Sequence, residues 1–76
     1  VGGGLSAELL TYLSKHVPGT RIVANAVTLE AEAFLSDAQQ HYGGELMRIE
    51  IANAAPLGAK RGWRAAYPIV QWSGTI

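Results

Sequence analysis

The sequence contains no cysteine, which excludes disulfide bonds and zinc sites built on thiolates. Charged residues are also scarce, at 16% of the chain, whereas about 25% is average. The formal net charge is zero, so we expect neither nucleic acid nor an anionic membrane as a partner. No apolar run of about 18 residues occurs, so we expect no membrane span. A chain without cysteine gives no sign of an oxidising compartment, and the cytoplasm is the default location.

With 76 residues the chain is one domain at most, and 49% of its residues are apolar. A chain of this size buries only about 60% of the surface that its unfolded form exposes. A high apolar fraction with little charge is typical of a segment that buries its apolar surface against another part of the protein or against another chain. We expect a missing half, a second subunit, or both.

The first helix and the strand after it are indicated by their end signals. Ser6 is a good N-cap, and Pro18-Gly19 ends the helix. Apolar residues follow at helical spacing: Leu9, Leu10 and Leu13. Residues 21–27 are short, β-branched and almost continuously apolar. This pattern predicts a strand covered on both faces, as in a parallel sheet.

The second helix begins with Thr28 as N-cap and Glu30 in the first turn, where the helix dipole favours an acid. One face of this helix is apolar and consists of Ala31, Phe34, Leu35, Ala38 and Tyr42. Gly43-Gly44 closes it. The order so far is helix, buried strand, helix.

The remaining residues predict two strands without a helix between them. Residues 45–53 alternate between apolar and charged side chains. The apolar positions are Met47, Ile49 and Ile51. Residues 54–66 are predicted to be a loop, because proline and glycine recur in them, and residues 67–72 form the last strand. Consecutive strands of this kind predict an antiparallel pair.

Three groups of residues are candidates for a ligand site. Gly2, Gly3 and Gly4 precede a helix, where backbone N–H groups can meet a ligand; the alternative is a cloning remnant or a flexible terminus. Their spacing fits neither a dinucleotide-binding turn nor a P-loop.

The second group is Asn25, Thr28 and Glu30, which lie where the buried strand becomes a helix. Ligands of open α/β sheets gather at this position. The alternative is that Thr28 only caps the helix and that the charge of Glu30 only interacts favourably with the helix dipole. Capping and ligand contact are nevertheless compatible.

The third group is the basic stretch at 60–64, with Arg61 and Arg64 beside Trp63. Guanidinium groups beside an indole can hold carboxylates or stack on a planar ring. The alternatives are contact with RNA and a solvated loop. His16 and His41 have no partner at metal-binding spacing, so we expect no metal, and no catalytic residue is assigned.

Five segments of the chain resemble one enzyme family, and they lie at 2–6, 19–30, 44–49, 54–58 and 62–72. The most specific are Asn-Ala-Val-Thr-Leu-Glu at 25–30 and Gly-Trp-Arg at 62–64. Together they resemble the decarboxylating precorrin-6Y C(5,15)-methyltransferases of cobalamin biosynthesis. The resemblance covers essentially the whole chain, but less than half of the family's methyltransferase domain.

This resemblance implies an α/β fold, namely the C-terminal portion of a doubly wound, Rossmann-like sheet whose last strand is antiparallel. It implies that residues 1–76 are the C-terminal segment of one methyltransferase domain whose N-terminal cofactor-binding half is absent. The complete enzyme would use S-adenosylmethionine, and the segment alone would be inactive. Gly2, Gly3 and Gly4 would then face the cofactor.

The substrate implied by the resemblance is a precorrin, a tetrapyrrole that carries many carboxylates. Asn25, Thr28, Glu30, Arg61 and Arg64 are the expected substrate-binding residues. We also expect a homo-oligomer, because an incomplete sheet leaves an open edge. The alternative function is a non-catalytic α/β interaction module that homo-oligomerises through this edge.

Overall fold

The computed structural model describes residues 5–76, which form two helices and five strands. In chain order these are α1 (Ala7–His16), β1 (Arg21–Ala26), α2 (Leu29–Tyr42), β2 (Glu45–Ile49), β3 (Ala52–Leu57), β4 (Lys60–Ala65) and β5 (Ile69–Thr75). The predicted order of helix, strand, helix and then antiparallel strands is confirmed.

Both helices begin at the predicted caps. The hydroxyl oxygen of Ser6 accepts a hydrogen bond from the N–H of Leu9 at 3.1 Å, and α1 ends two residues before Pro18. The hydroxyl oxygen of Thr28 accepts from the N–H of Ala31, also at 3.1 Å. Helix α2 ends at Tyr42 and is capped by Gly43, whose φ of 81° favours glycine. Its predicted apolar face packs on the core, with Leu35 and Ala38 buried.

Strand β5 is the central strand of a three-stranded sheet in the order β1-β5-β2. It runs antiparallel to both neighbours, so β1 and β2 are parallel to each other and α2 connects them. This is the predicted ending of a doubly wound sheet, a parallel unit followed by an antiparallel strand. The last strand begins at Ile69 and not at residue 67, and Tyr67 before it is 83% exposed.

Two predictions about the strands are wrong. Residues 45–53 are not one strand, because β2 ends at Ile49 and β3 begins at Ala52. Residues 54–66 are not a loop, because β3 and β4 form a β-hairpin that turns at Gly58. Pro56 is tolerated because a two-stranded hairpin has only edge strands, where a missing N–H costs little.

The hairpin, residues 52–65, projects from the rest of the chain. In the part of the chain that the structure describes, β3 and β4 pair only with each other. The radius of gyration is 16.3 Å, whereas a compact chain of this length would have about 11 Å. The longest dimension is 58 Å. The hairpin is therefore an arm attached at one end of the sheet.

The core lies between the helices and one face of the sheet. Its centre is Trp72, which is fully buried and whose indole N–H donates to the carbonyl of Gly43 at 2.9 Å. Leu10 of α1 and Leu35 of α2 pack against the same cluster.

The prediction that β1 is covered on both faces is wrong for residues 5–76. Ala24 and Ala26 are buried, but Val23 between them is 53% exposed. Met47 and Ile51, predicted on a common apolar face, are also about half exposed. The helices cover one face of the sheet, and the face that carries Val23, Asn25 and Met47 is open.

Candidate functional site

A cleft of about 860 Å³ lies at the carboxyl end of β1, where the chain enters α2. Because β1 and β2 are parallel, their carboxyl ends meet at the same edge of the sheet, and this is where doubly wound folds bind ligands. The three predicted residues of this region, Asn25, Thr28 and Glu30, all line the cleft. Residues of α2, β2 and β5 line it as well: Phe34, Ile49, Ile69 and Gln71.

Asn25 lies on the open face of the sheet, directly opposite Gln71 of β5. The side-chain amide of Gln71 donates to the carbonyl oxygen of the Asn25 side chain at 3.0 Å. The role of Gln71 is not apparent from the sequence, because the two residues are 46 positions apart and no local motif connects them. The only signal was a polar residue between the apolar Val70 and Trp72.

Thr28 has two structural roles at the start of α2. Its hydroxyl oxygen caps Ala31, and its carbonyl accepts from the N–H of Glu32 at 2.9 Å. The predicted capping role is therefore confirmed. A hydroxyl oxygen that accepts a bond still carries a hydrogen to donate, so a ligand contact by Thr28 remains compatible with capping.

The cleft has few charges. Among the described residues that line it, Glu30 is the only ionisable side chain, and no lysine, arginine or histidine is present. The walls are otherwise apolar, with one hydroxyl and two amide side chains. Such a cleft can orient a largely apolar, planar ligand, but a carboxylate-rich ligand needs cations from elsewhere.

The hairpin is rooted at the same edge of the sheet. Strand β2 ends at Ile49 and β5 begins at Ile69; these two residues are paired, and both line the cleft. The hairpin leaves and returns between them. The basic residues of β4 are therefore placed on an arm that starts beside Asn25.

Arg61 and Arg64 do not form a side-by-side pair. Arg64 pairs with Asn53 near the base of the hairpin, and Arg61 pairs with Pro56 near its tip. Three residues apart on a strand, they point to opposite faces and are about 10 Å apart along the strand. Arg61 shares its face with Trp63, which is 80% exposed. Arg64 is the one closer to the cleft.

The predicted cofactor residues Gly2, Gly3 and Gly4 lie outside the described residues. Leu5, which follows them, lines the cleft. Within 5–76, no cluster of His, Asp or Glu side chains is arranged to hold a metal ion. Neither described helix is long and apolar enough to cross a membrane.

A protein-family model matches the chain over its whole length. The model of the precorrin methyltransferase domain matches residues 1–76. The curated relatives of the chain are precorrin methyltransferases as well. The chain is 44% identical to the decarboxylating precorrin-6Y C(5,15)-methyltransferase of a Sinorhizobium species and to the enzyme of that name from Mycobacterium tuberculosis (strain CDC 1551 / Oshkosh). These alignments cover 99% of this chain, but only 19% and 20% of the relatives.

Solved structures show the same likeness. The C-terminal domain of precorrin-6Y C5,15-methyltransferase from Rhodobacter capsulatus superposes with a TM-score of 0.88 at 53% identity. That match covers the whole of this chain and 42% of the other. A putative precorrin-6Y C5,15-methyltransferase domain from Corynebacterium diphtheriae gives a TM-score of 0.70 at 33% identity, over 75% of this chain and 34% of that one. The chain thus spans about a fifth of its curated relatives and less than half of these domains.

Proposed function

The chain belongs to the precorrin methyltransferase domain family, and we propose that it is the C-terminal segment of a methyltransferase domain acting on precorrin-6Y. The whole enzyme would methylate this tetrapyrrole and decarboxylate it, in cobalamin biosynthesis. The observation that carries the proposal is the cleft at the carboxyl edge of the sheet, in a chain that matches the family over its full length.

We infer that S-adenosylmethionine is the methyl donor of the complete enzyme; when bound, it supplies an electrophilic methyl group. The described residues fit only part of a site for it. The glycine-rich turn and the ribose-binding acid typical of such sites are not in this sequence. Gly2, Gly3 and Gly4 are the proposed contribution of this chain, and the N-terminal half of the domain would supply the rest.

The residues of this chain would bind and orient the macrocycle. The apolar walls, with Phe34 and Ile49, exclude water and suit a flat ring. Asn25 and Thr28 can donate to oxygen atoms of the substrate, and Glu30 can accept. An electron-rich ring carbon attacking a methyl group needs alignment more than a strong base, which agrees with the scarcity of titratable groups in the cleft.

The cations that the cleft lacks would come from the hairpin. A precorrin carries several carboxylates, and Arg64 near the base of the hairpin is placed to meet those at the mouth of the cleft. Arg61, further along the arm and on its other face, would meet a more distant carboxylate or a neighbouring subunit.

We further propose a homo-oligomer in the cytoplasm. The hairpin carries three of the six Lys and Arg residues and none of the six Asp and Glu residues, so the remainder of the chain is net negative by the same amount. Its apolar side chains are uncovered, with Leu57 68% and Trp63 80% exposed. An arm of this charge and exposure is complementary to the acidic body of a second copy.

The second candidate is the non-catalytic interaction module. It is favoured by one observation, the outer edge of β1, which no strand of residues 5–76 pairs. Open edges of this kind pair with other chains. In the enzyme, by contrast, we propose that this edge receives a strand from the N-terminal half of the same domain.

The proposal is tested with the complete protein that contains this segment. The protein is incubated with isotopically methyl-labelled S-adenosylmethionine and precorrin-6Y, and the product is analysed by mass spectrometry. We expect label in the macrocycle together with loss of carbon dioxide. A folded protein that transfers no label would rule out the enzyme and leave the interaction module.

A further inference from the structure

Glu30 is the one charged side chain in the part of the cleft that the structure describes, and it belongs to the wall formed by α2. Phe34 follows it by four positions, one turn further along the helix, and lines the cleft as well. Residues at this spacing are neighbours on one face of a helix. A ligand that packs on the Phe34 ring therefore also meets the Glu30 carboxylate.

No contact within residues 5–76 neutralises this carboxylate. The ion pair of these residues joins Arg48 to Glu50, and no hydrogen bond is donated to the Glu30 side chain. The side chain is exposed, so water solvates its charge when no ligand is bound. A ligand that fills the cleft displaces this water, and burying a charge without a partner is unfavourable. The ligand group that faces Glu30 must therefore be a hydrogen-bond donor.

The cations of the hairpin belong to a different wall of the cleft. The wall formed by the sheet contains Ile49 and Ile69, and the hairpin leaves and returns between these two residues. The hairpin carries Lys60, Arg61 and Arg64 and no acidic residue. The cleft thus has an acid on its helix wall and a basic arm rooted at its sheet wall.

A tetrapyrrole has a matching distribution of polar groups. Its carboxylates are on side chains at the rim, whereas its N–H groups belong to the macrocycle itself. A carboxylate accepts hydrogen bonds from N–H groups and repels other carboxylates. The helix wall therefore suits the N–H groups of the macrocycle, and the hairpin suits the carboxylates of its rim.

We propose that Glu30 is a specificity-determining residue that fixes the orientation of the ligand in the cleft. Its carboxylate accepts a hydrogen bond from a macrocycle N–H and keeps the rim carboxylates away from the helix wall, so that they face the hairpin. This inference rests on the proposed function, because the ligand is the precorrin. It goes beyond that function in assigning which part of the substrate faces which wall.

The central variant is Glu30→Gln in the complete enzyme, which keeps the size of the side chain and an acceptor oxygen but removes the charge. Hydrogen bonds to a charged acceptor are about twice as strong as neutral ones, so we expect the KM for the precorrin to rise about fivefold. The KM for S-adenosylmethionine should change less than about twofold, because Glu30 meets the macrocycle and not the sulfonium.

Glu32→Gln is the matched control for an effect on the helix. Glu32 is the other acid in the first turn of α2, so both substitutions weaken the interaction with the helix dipole in the same way. It is about 200° further around the helix than Glu30 and does not line the cleft. Glu32→Gln should therefore leave the KM for the precorrin unchanged.

A second pair of variants reverses the charge. Glu30→Lys places a cation on the helix wall, which attracts a rim carboxylate and turns the macrocycle away from the methyl donor. We expect kcat for methyl transfer to fall about tenfold or more. Glu32→Lys makes the same change of charge at the same end of the helix and should keep kcat within about twofold. Circular dichroism of all four variants checks that they are folded.

The direction of the change in KM decides between the roles of Glu30. A lower KM for the precorrin in Glu30→Gln would place a substrate carboxylate beside Glu30 and overturn the inference, and so would an unchanged KM. An equal rise in Glu32→Gln, or a rise confined to the KM for S-adenosylmethionine, would overturn it as well. In each of these cases methyl transfer by the wild type upholds the proposed function, whereas its absence in a folded wild type would overturn both.

Discussion

The two tryptophans of the chain provide a matched pair for testing the core. Trp72 is fully buried and its indole N–H donates to the carbonyl of Gly43 at 2.9 Å, whereas Trp63 on the hairpin is 80% exposed. The substitution Trp72→Phe removes that hydrogen bond and leaves a smaller ring in the same space. Trp63→Phe makes the same chemical change where little is packed.

The expected cost of Trp72→Phe follows from two contributions. Leaving the part-buried carbonyl of Gly43 without a partner costs about 1–3 kcal/mol. A cavity of some tens of Å³ adds about 1 kcal/mol, at about 24 cal/mol per Å³. The free energy of unfolding should therefore fall by about 3 kcal/mol, whereas Trp63→Phe should change it by about 0.5 kcal/mol at most.

Urea unfolding followed by circular dichroism measures both variants without relying on tryptophan fluorescence. The comparison is made at one protein concentration and repeated at a second, because association makes apparent stability depend on concentration. A loss that is equal in Trp72→Phe and Trp63→Phe would show that the indole of Trp72 is not the centre of the core.

Three further predictions concern the cap, the hairpin and the assembly. Thr28→Ala should cost about 1 kcal/mol of unfolding free energy, measured by urea titration. If Thr28 also binds substrate, methyl transfer by the complete enzyme should fall by more than that loss explains; wild-type turnover in a folded variant would leave capping as its only role. Arg64→Gln should raise the KM for the precorrin tenfold or more and Arg61→Gln should raise it less, because Arg64 is closer to the cleft; unchanged kinetics in both would show that these side chains are only solvated. Light scattering on the purified chain at tens of micromolar should give a mass above 8.1 kDa, and a well-dispersed monomer would contradict the oligomer.

The parts of the fold that the sequence predicted are those encoded locally. The caps at Ser6 and Thr28 act within three residues, and the apolar face of α2 repeats at helical spacing. The doubly wound ending and the family could be recognised because the segments at 25–30 and 62–64 are specific. These features do not depend on which distant residues meet.

The hairpin was missed for a physical reason. A two-stranded arm that is exposed on both faces has no burial pattern, and Pro56 and Gly62 are typical of loops. The structure accommodates both: Pro56 is on an edge strand, and Gly62 lies under the side chain of Leu57. A Cβ at position 62 would be 3.1 Å from a methyl carbon of Leu57, so a larger residue there would require the exposed Leu57 side chain to shift by a few tenths of an ångström.

The candidate site was predicted in part. Asn25, Thr28 and Glu30 follow from the rule that ligands gather where strands end, and they line one cleft in the structure. Gln71 could not be found in this way, because its position opposite Asn25 depends on the register of β5 with β1. The separation of Arg61 from Arg64 could not be predicted either. Both residues lie in a strand, whereas a loop was expected there.

The most direct test of the central claim is a calorimetric titration of S-adenosylmethionine into two samples, the 76-residue chain and the complete protein that contains it. The claim is that this chain contributes the substrate side of the site, while the N-terminal half of the domain holds most of the cofactor. We expect the complete protein to bind S-adenosylmethionine and the chain alone to give no binding heat up to about millimolar cofactor, because the phosphate-type glycine turn and the ribose acid are absent. Binding by the chain alone at micromolar concentrations would contradict this division and show that residues 1–76 contain a cofactor site of their own.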